Sequence, residues 1–247
     1  MRRSFKQNTA MAEDDIPPRI IIFIGDSDIA YWPSTLLPVA IRGDVIPLVR
    51  GHPGATLKDM LPHLRSVMVQ AQETRTSNNH QYASLVIVAC AGENDIGNGI
   101  ALDDSLDALN LFLDIVFSIQ HLPSSSKPPF PYLIFLGPKF EPWLEDDPSM
   151  KKKYSKMTRS FQRCFDKHVH ASHMEFVDCL TMFCGETASL PGAVLGGMAK
   201  ADEIYFAADK LHLSAQGYQV WKEVVEERIH RLLIPPYSNP NTTLSCS

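Results

Sequence analysis

The sequence predicts an α/β protein, with a parallel sheet covered by helices on both faces. Three observations lead there. Short apolar, β-branched runs alternate along the chain with longer segments whose apolar residues recur at helical spacing. Two of the runs are apolar at nearly every position, as a strand buried on both faces requires. Strand, helix and strand in that order fit side by side as right-handed parallel crossovers.

The elements follow in order. Arg19-Ile20-Ile21-Ile22-Phe23-Ile24 reads as the first buried strand. Asp44-Val45-Ile46-Pro47-Leu48-Val49 reads as a second, moved toward an edge because Pro47 has no N–H for a ladder. Leu57, Met60, Leu61 and Leu64 form a helical stripe, and Leu85-Val86-Ile87-Val88-Ala89-Cys90-Ala91 is the strongest buried strand. Leu106, Leu109, Leu113, Val116 and Phe117 make a second stripe, opened by Asp103-Asp104 at the positive end of the helix dipole. Tyr132-Leu133-Ile134-Phe135-Leu136 and Glu175-Phe176-Val177-Asp178 supply two further strands. Between and after them lie the stripes Met157, Phe161, Cys164, Phe165 and Val220, Trp221, Val224, Val225, Ile229. Residues 1–17 lack periodicity and read as a flexible leader, residues 18–235 as one domain, and residues 236–247 as a flexible tail.

Composition narrows the function. Of 247 residues, 45% are hydrophobic and 21% charged, the balance of a folded globular chain. Lys and Arg number 23 against 28 Asp and Glu, and the net charge of −5 argues against a chain built to coat nucleic acid or an anionic membrane. No apolar run approaches the roughly 18 residues of a membrane span. The basic start, Arg2-Arg3, is followed by Glu13-Asp14-Asp15 and not by an apolar segment, so a cytoplasmic protein is expected. Without a signal peptide the sequon Asn241-Thr242-Thr243 carries little weight. The five cysteines are odd in number and never form C-x-x-C, which leaves a zinc ribbon or disulfide framework unsupported. His168, His170 and His173 with Cys164 have metal-ligand chemistry, but a helix end running into a polar turn is the preferred reading.

In parallel sheets ligands bind beyond the carboxyl ends of the strands, so the loops starting at Gly25, Gly51, Gly92 and Gly137 are where chemistry belongs. The first presents Ser27 in Gly25-Asp26-Ser27-Asp28, at the sheet's upper edge. The second, Gly51-His52-Pro53-Gly54-Ala55-Thr56, can offer a bare backbone N–H to an anionic oxygen; its spacing excludes a P-loop. The third, Gly92-Glu93-Asn94-Asp95, offers an Asn amide, a neutral donor suited to a developing oxyanion. Glu93 and Asp95 would make it hostile to anions if both faced the cleft. Before the last helix, Asp209-Lys210-Leu211-His212 sets a carboxylate three residues ahead of an imidazole, close enough to fix its tautomer.

Together these four blocks resemble the SGNH hydrolase superfamily, the GDSL-like esterases and lipases. Its blocks are G-D-S, a glycine in a G-x-T loop, G-x-N-D and D-x-x-H-[LP]. Here they stand as Gly25-Asp26-Ser27, Gly54-Ala55-Thr56, Gly92-Glu93-Asn94-Asp95 and Asp209-Lys210-Leu211-His212-Leu213, in order, over roughly residues 19–233. The resemblance implies a three-layer α/β/α sandwich of flavodoxin-like type on a mostly parallel five-stranded sheet. It implies a carboxylic ester hydrolase with Ser27 as nucleophile, His212 as base and Asp209 orienting it. The oxyanion hole would be the N–H groups of Ser27 and Gly54 with the side chain of Asn94. It implies no cofactor and no metal. The partner would be a small ester carrying a short acyl chain, an acetylated sugar or a lysophospholipid-like alcohol; the oligomeric state stays open.

One departure is Asp28, where the family usually has Leu; a carboxylate there is expected to perturb His212 or repel anionic substrates. Asp26 and Asp28 also form a D-x-D pair after an apolar strand, as in metal-dependent phosphatases of the haloacid dehalogenase type. Ala30 and the lack of a later G-D-x-x-D argue against that reading. A binding module of the same fold with impaired chemistry is the other alternative. Tyr31, Trp32, Phe140 and Trp143 lie on loops that could border the cleft or equally be ordinary packing.

Overall fold

The computed structural model describes residues 19–38, 45–77, 84–118, 131–184 and 200–233. The expected leader and tail, and with them Cys246 and the sequon, lie outside these residues. Five strands, β1 (Arg19–Gly25), β2 (Val45–Gly51), β3 (Ser84–Cys90), β4 (Tyr132–Leu136) and β5 (Met174–Val177), form one sheet in the order β2-β1-β3-β4-β5. Every pairing is parallel. The chain steps outward from β1 to β2, then returns past β1 to β3, which opens a crevice beyond the carboxyl ends of β1 and β3.

β1 and β3 are buried along almost their whole length, as their continuous apolar runs demand. β2 is an edge strand, and Pro47 sits in it opposite Ile21 without breaking the pairing. The helices are α1 (Ser27–Ala30), α2 (Leu57–Ser77), α3 (Glu93–Gly97), α4 (Leu102–Phe117), α5 (Pro148–Lys167) and α6 (Ala215–Leu233).

Strand alternation sorts them into layers. Phe23, Val88 and Ile134 stand in register across β1, β3 and β4, and Ile24, Ala89 and Phe135 stand one place on, facing the other way. Phe135 meets Phe112 of α4 and Phe161 and Phe165 of α5 edge-on. Phe23 meets Trp32, which in turn packs on Trp221 of α6. So α4 and α5 cover one face, joined by α2, which packs beside α4, and α6 covers the other. The architecture is the three-layer sandwich the sequence predicts. Among the described residues no helix is long and apolar enough to cross a membrane.

Candidate active site

The site is assembled at the crevice from four chain segments. At the end of β1, Gly25 runs so close to β3 that a Cβ there would meet the Cys90 carbonyl oxygen at 2.6 Å. Glycine is needed for that approach. Asp26 then caps the short helix α1, its Oδ1 accepting the Asp28 N–H at 3.1 Å. Ser27 is the first residue of α1, where a backbone N–H has no partner within the helix.

The second and third segments are tied to each other. Thr56 and Asp59 bond reciprocally: Thr56 N–H and Oγ1 donate to Asp59 Oδ2 at 3.1 and 2.7 Å, and Asp59 N–H donates to Thr56 Oγ1 at 3.3 Å. That closes the first turn of α2 as a capping box does. Asp95 Oδ2 accepts the next exposed donor, the Leu57 N–H, at 3.0 Å. Gly54 stands exposed at φ +79°, in the left-handed region. Asn94, in the first turn of α3, donates from Nδ2 to the Ala55 carbonyl at 3.1 Å and to Asp26 Oδ2 at 3.3 Å. Its amide thus links the first three sequence blocks.

The fourth segment is a tight loop. Phe206 and Leu213 pair antiparallel across it, Ala207 N–H donates to the His212 carbonyl, and Lys210 turns the chain at φ +58°. A lysine in that conformation is strained, by roughly 1–2 kcal/mol, and the surrounding bonds hold it there. The turn brings His212 Nδ1 to 2.7 Å from Asp209 Oδ2, while Asp209 Oδ1 accepts the N–H groups of Leu211 and His212, both at 3.0 Å. These bonds, that from His212 first, hold the Asp209 carboxyl down at about 2. The Tyr31 ring meets the imidazole edge-on, with centroids 4.9 Å apart.

Ser27, Asn94 and His212 line one cavity of about 120 Å³, together with Asp26, Glu93, Lys139, Glu141 and Trp143. Asp209 stands behind the imidazole, and Gly54 is not on the wall itself but adjoins Ala55, whose carbonyl holds Asn94. Sequence reasoning missed Lys139, Glu141 and Tyr154, all of which line the cavity from the β4 side. The signal was a charged residue directly behind a buried strand, in Gly137-Pro138-Lys139-Phe140-Glu141.

The geometry also places the other residues that the sequence singles out. Asp28 is buried, 1% exposed, and its Oδ2 accepts from Lys139 Nζ at 2.6 Å, while His212 is close enough to act on its charge. Glu93 also binds Lys139, at 2.7 Å, and Asp95 caps α2, so their charges are engaged within the protein. Trp32 and Phe140 belong to the core, whereas Tyr31 and Trp143 are exposed. His168 and His170 pack on Phe117, His173 on Tyr132, and His168 Nδ1 accepts the His170 N–H.

Among the described residues, Asp26, Asp28 and Cys90 form the group with ligand atoms within 4.8 Å of one another. It is a poor cation site. The Lys139 ammonium already occupies Asp28, and burial pushes the Cys90 thiol well up, away from the thiolate a metal needs.

Burial, with the neighbouring Asp28 adding to it, raises the Asp26 carboxyl from 3.8 to about 7. The folded protein therefore keeps a proton there that the unfolded chain releases, and stability falls as pH rises between those two values. Asp26→Asn is expected to lack this slope. The gap between variant and wild type in unfolding free energy should shift toward the variant from pH 4 to pH 7, by on the order of 4 kcal/mol. Denaturant titrations at the two pH values measure it, and an unchanged gap would show Asp26 ionised throughout.

No family model matches the chain, and no curated protein matches it. Solved structures do. A member of the lipolytic G-D-S-L family from Veillonella parvula has TM-score 0.59 at 16% identity, covering 87% of this chain and 99% of that one. The fold is that of the GDSL esterases and lipases. A lipase from a goat rumen metagenome has TM-score 0.60 at 14% identity, and a carbohydrate acetylesterase from Sinorhizobium meliloti 0.58 at 14%, each with the same two coverages. At such identities the likeness is one of fold, and activity has to be argued from the site.

Proposed function

We propose that the protein is a serine esterase that hydrolyses a small carboxylic ester through an acyl-enzyme. The observation that carries this is Ser27, Asn94 and His212 on one cavity wall, with the far nitrogen of His212 held 2.7 Å from Asp209. Asp209 keeps the proton on Nδ1 and leaves Nε2 as the base. Ser27 Oγ attacks the ester carbonyl while His212 takes its proton. The imidazolium returns that proton to the departing alkoxide, and water repeats the two transfers to release the acid.

Negative charge on the carbonyl oxygen is met by the Ser27 N–H and by Asn94 on the cavity wall, with the Gly54 N–H, next to Ala55 and off that wall, as the third donor the sequence blocks imply. The Asn94 amide is already engaged by Asp26 and Ala55, so it serves the oxyanion by giving up the longer bond, that to Asp26. Exchanging one bond for another tempers the gain. Asn94→Ala is accordingly expected to lower kcat by about 10², the low end for one such donor, with little change in KM. Wild-type turnover in the folded variant would make Asn94 a structural tie only.

The cavity's size speaks to the acyl group. At about 120 Å³ it holds some four water-sized groups, room for an acetyl to butyryl chain. The open groove along Tyr31, Pro33 and Leu213, which shares His212 with the cavity, offers the alcohol moiety its place. A panel of esters graded in acyl length, run on wild type and Ser27→Ala, tests the reading. Activity should peak at two to four carbons and vanish in the variant. A maximum at long chains would overturn the short-acyl assignment, and activity surviving in Ser27→Ala the nucleophile. The phosphatase alternative loses its second carboxylate, because Asp28 is spent on Lys139.

A further inference from the structure

Lys139 is 1% exposed, and its ammonium spends its donors on three carboxylates: Asp28 at 2.6 Å, Glu93 at 2.7 Å and Glu141 at 2.9 Å. Its backbone N–H also donates to Glu93 Oε1, at 2.8 Å. The partners come from the loops behind three different strands. Asp28 follows Ser27 in α1, Glu93 precedes Asn94 in α3, and Glu141 stands beyond β4 in the lysine's own loop. Asp28 is gripped from the far side as well, since the Tyr218 hydroxyl of α6 donates to its carbonyl at 2.9 Å.

Burying four charged side chains is a poor way to gain stability. Each ion loses several kcal/mol of hydration, and well-packed apolar groups of similar size often do as well or better. The cluster does not even balance, with one cation against three carboxylates. Burial alone would lower the Lys139 ammonium, but Asp28, Glu141 and Glu93 outweigh it and hold it well above its ordinary value. Burial, with Glu141 next, raises the Glu93 carboxyl well above its own ordinary value. Asp28 Oδ1 has no hydrogen-bond partner among the described residues, which leaves Lys139 as the group holding that carboxylate.

We propose that Lys139 is a positioning residue, one buried cation that fixes the nucleophile's helix against the oxyanion donor's helix through the neighbours Asp28 and Glu93. The proposal rests on the serine-esterase reading for its consequence and on the three ion pairs for its geometry. It also accounts for Asp28: a carboxylate belongs in that position because the tie needs it.

Two variants test it, each followed by thermal midpoint, by kcat and KM on a short-chain ester, and by amide exchange. Lys139→Met leaves three carboxylates facing one another and is expected to lower both the midpoint and kcat. The neutral quadruple variant Asp28→Leu/Glu93→Gln/Lys139→Met/Glu141→Gln removes the repulsion along with the tie. It should recover the thermal midpoint while kcat stays about 10²-fold down, the usual effect of misplacing reacting groups by about 1 Å, with KM little changed. Amide exchange in Ser27–Ala30 and Glu93–Gly97 should be faster than in wild type by about tenfold or more, while α6 is unchanged. Recovery of kcat together with the midpoint would make the cluster purely structural and overturn the proposal. So would a quadruple variant that fails to fold, since the cluster would then serve stability, and so would wild-type turnover in Lys139→Met. If the wild type itself hydrolyses no ester, the esterase reading falls. The exchange measurement then decides the tie alone, unaltered rates in both helices overturning it.

Discussion

Ser27→Ala is expected to lower kcat on a short-chain ester by about 10⁶, the loss seen when the nucleophile of a serine hydrolase triad is removed. The size follows from the route, not from lost binding. Without the hydroxyl no acyl-enzyme forms, and what remains is water attacking an ester held near the oxyanion donors. KM should change little, because a β-hydroxyl contributes little to holding the ground state. Ser27 is half-buried at the head of α1 and its helix is capped by Asp26, so alanine there should leave the fold intact. Circular dichroism and the thermal midpoint check that point. Retention of more than a small fraction of turnover in the folded variant would move the nucleophile elsewhere.

Asp209→Asn is expected to have the next largest effect. An asparagine fits the same space and still meets the imidazole, but an amide N–H facing Nδ1 favours the tautomer whose proton sits on Nε2, the wrong nitrogen for a base. In buried triads that change costs about 10⁴ in kcat. Here the carboxylate is 51% exposed, and water takes over part of its work, so a loss of about 10²–10³ is expected. The backbone bonds from Leu211 and His212 to Oδ1 survive in the variant and keep the turn closed, which separates tautomer from folding. Measuring kcat and the rate of phosphonylation of Ser27 side by side checks the assignment, since both depend on the base. A variant slowed in neither would reduce Asp209 to the cap of a turn.

Much of the fold was legible because its signals are local. Isoleucine at three successive positions of β1 cannot suit a half-exposed strand, and Pro47 cannot suit a central one; both sit where those constraints put them. The stripe from Leu57 to Leu64 gave only the start of α2, which carries Pro62 inside it and continues through Val67, Met68 and Ala71. A proline in a helix interior is ordinarily a stop signal, and burial against the sheet and α4 outweighs it here.

The site divides in the same way. Ser27, Asn94 and His212 were legible because each directly follows a strand or precedes a helix at a recognisable spacing. Lys139 was not, since its partners Asp28 and Glu93 lie 111 and 46 residues away in sequence and no local pattern pairs them. For the same reason Asp28 looked like a charge loose beside Ser27. Tyr31 and Trp143 were indistinguishable by composition from Trp32 and Phe140, and only packing separates the exposed pair from the core pair.

The central claim is that the Ser27 hydroxyl is activated by His212, and covalent capture tests it most directly. A fluorophosphonate phosphonylates a serine only where a base removes its proton and donors stabilise the charged oxygen. Intact mass spectrometry of the treated protein should show one adduct, peptide mapping should place it on Ser27, and His212→Ala should form it orders of magnitude more slowly. An adduct on another residue, or equal labelling of wild type and Ser27→Ala, would contradict the account.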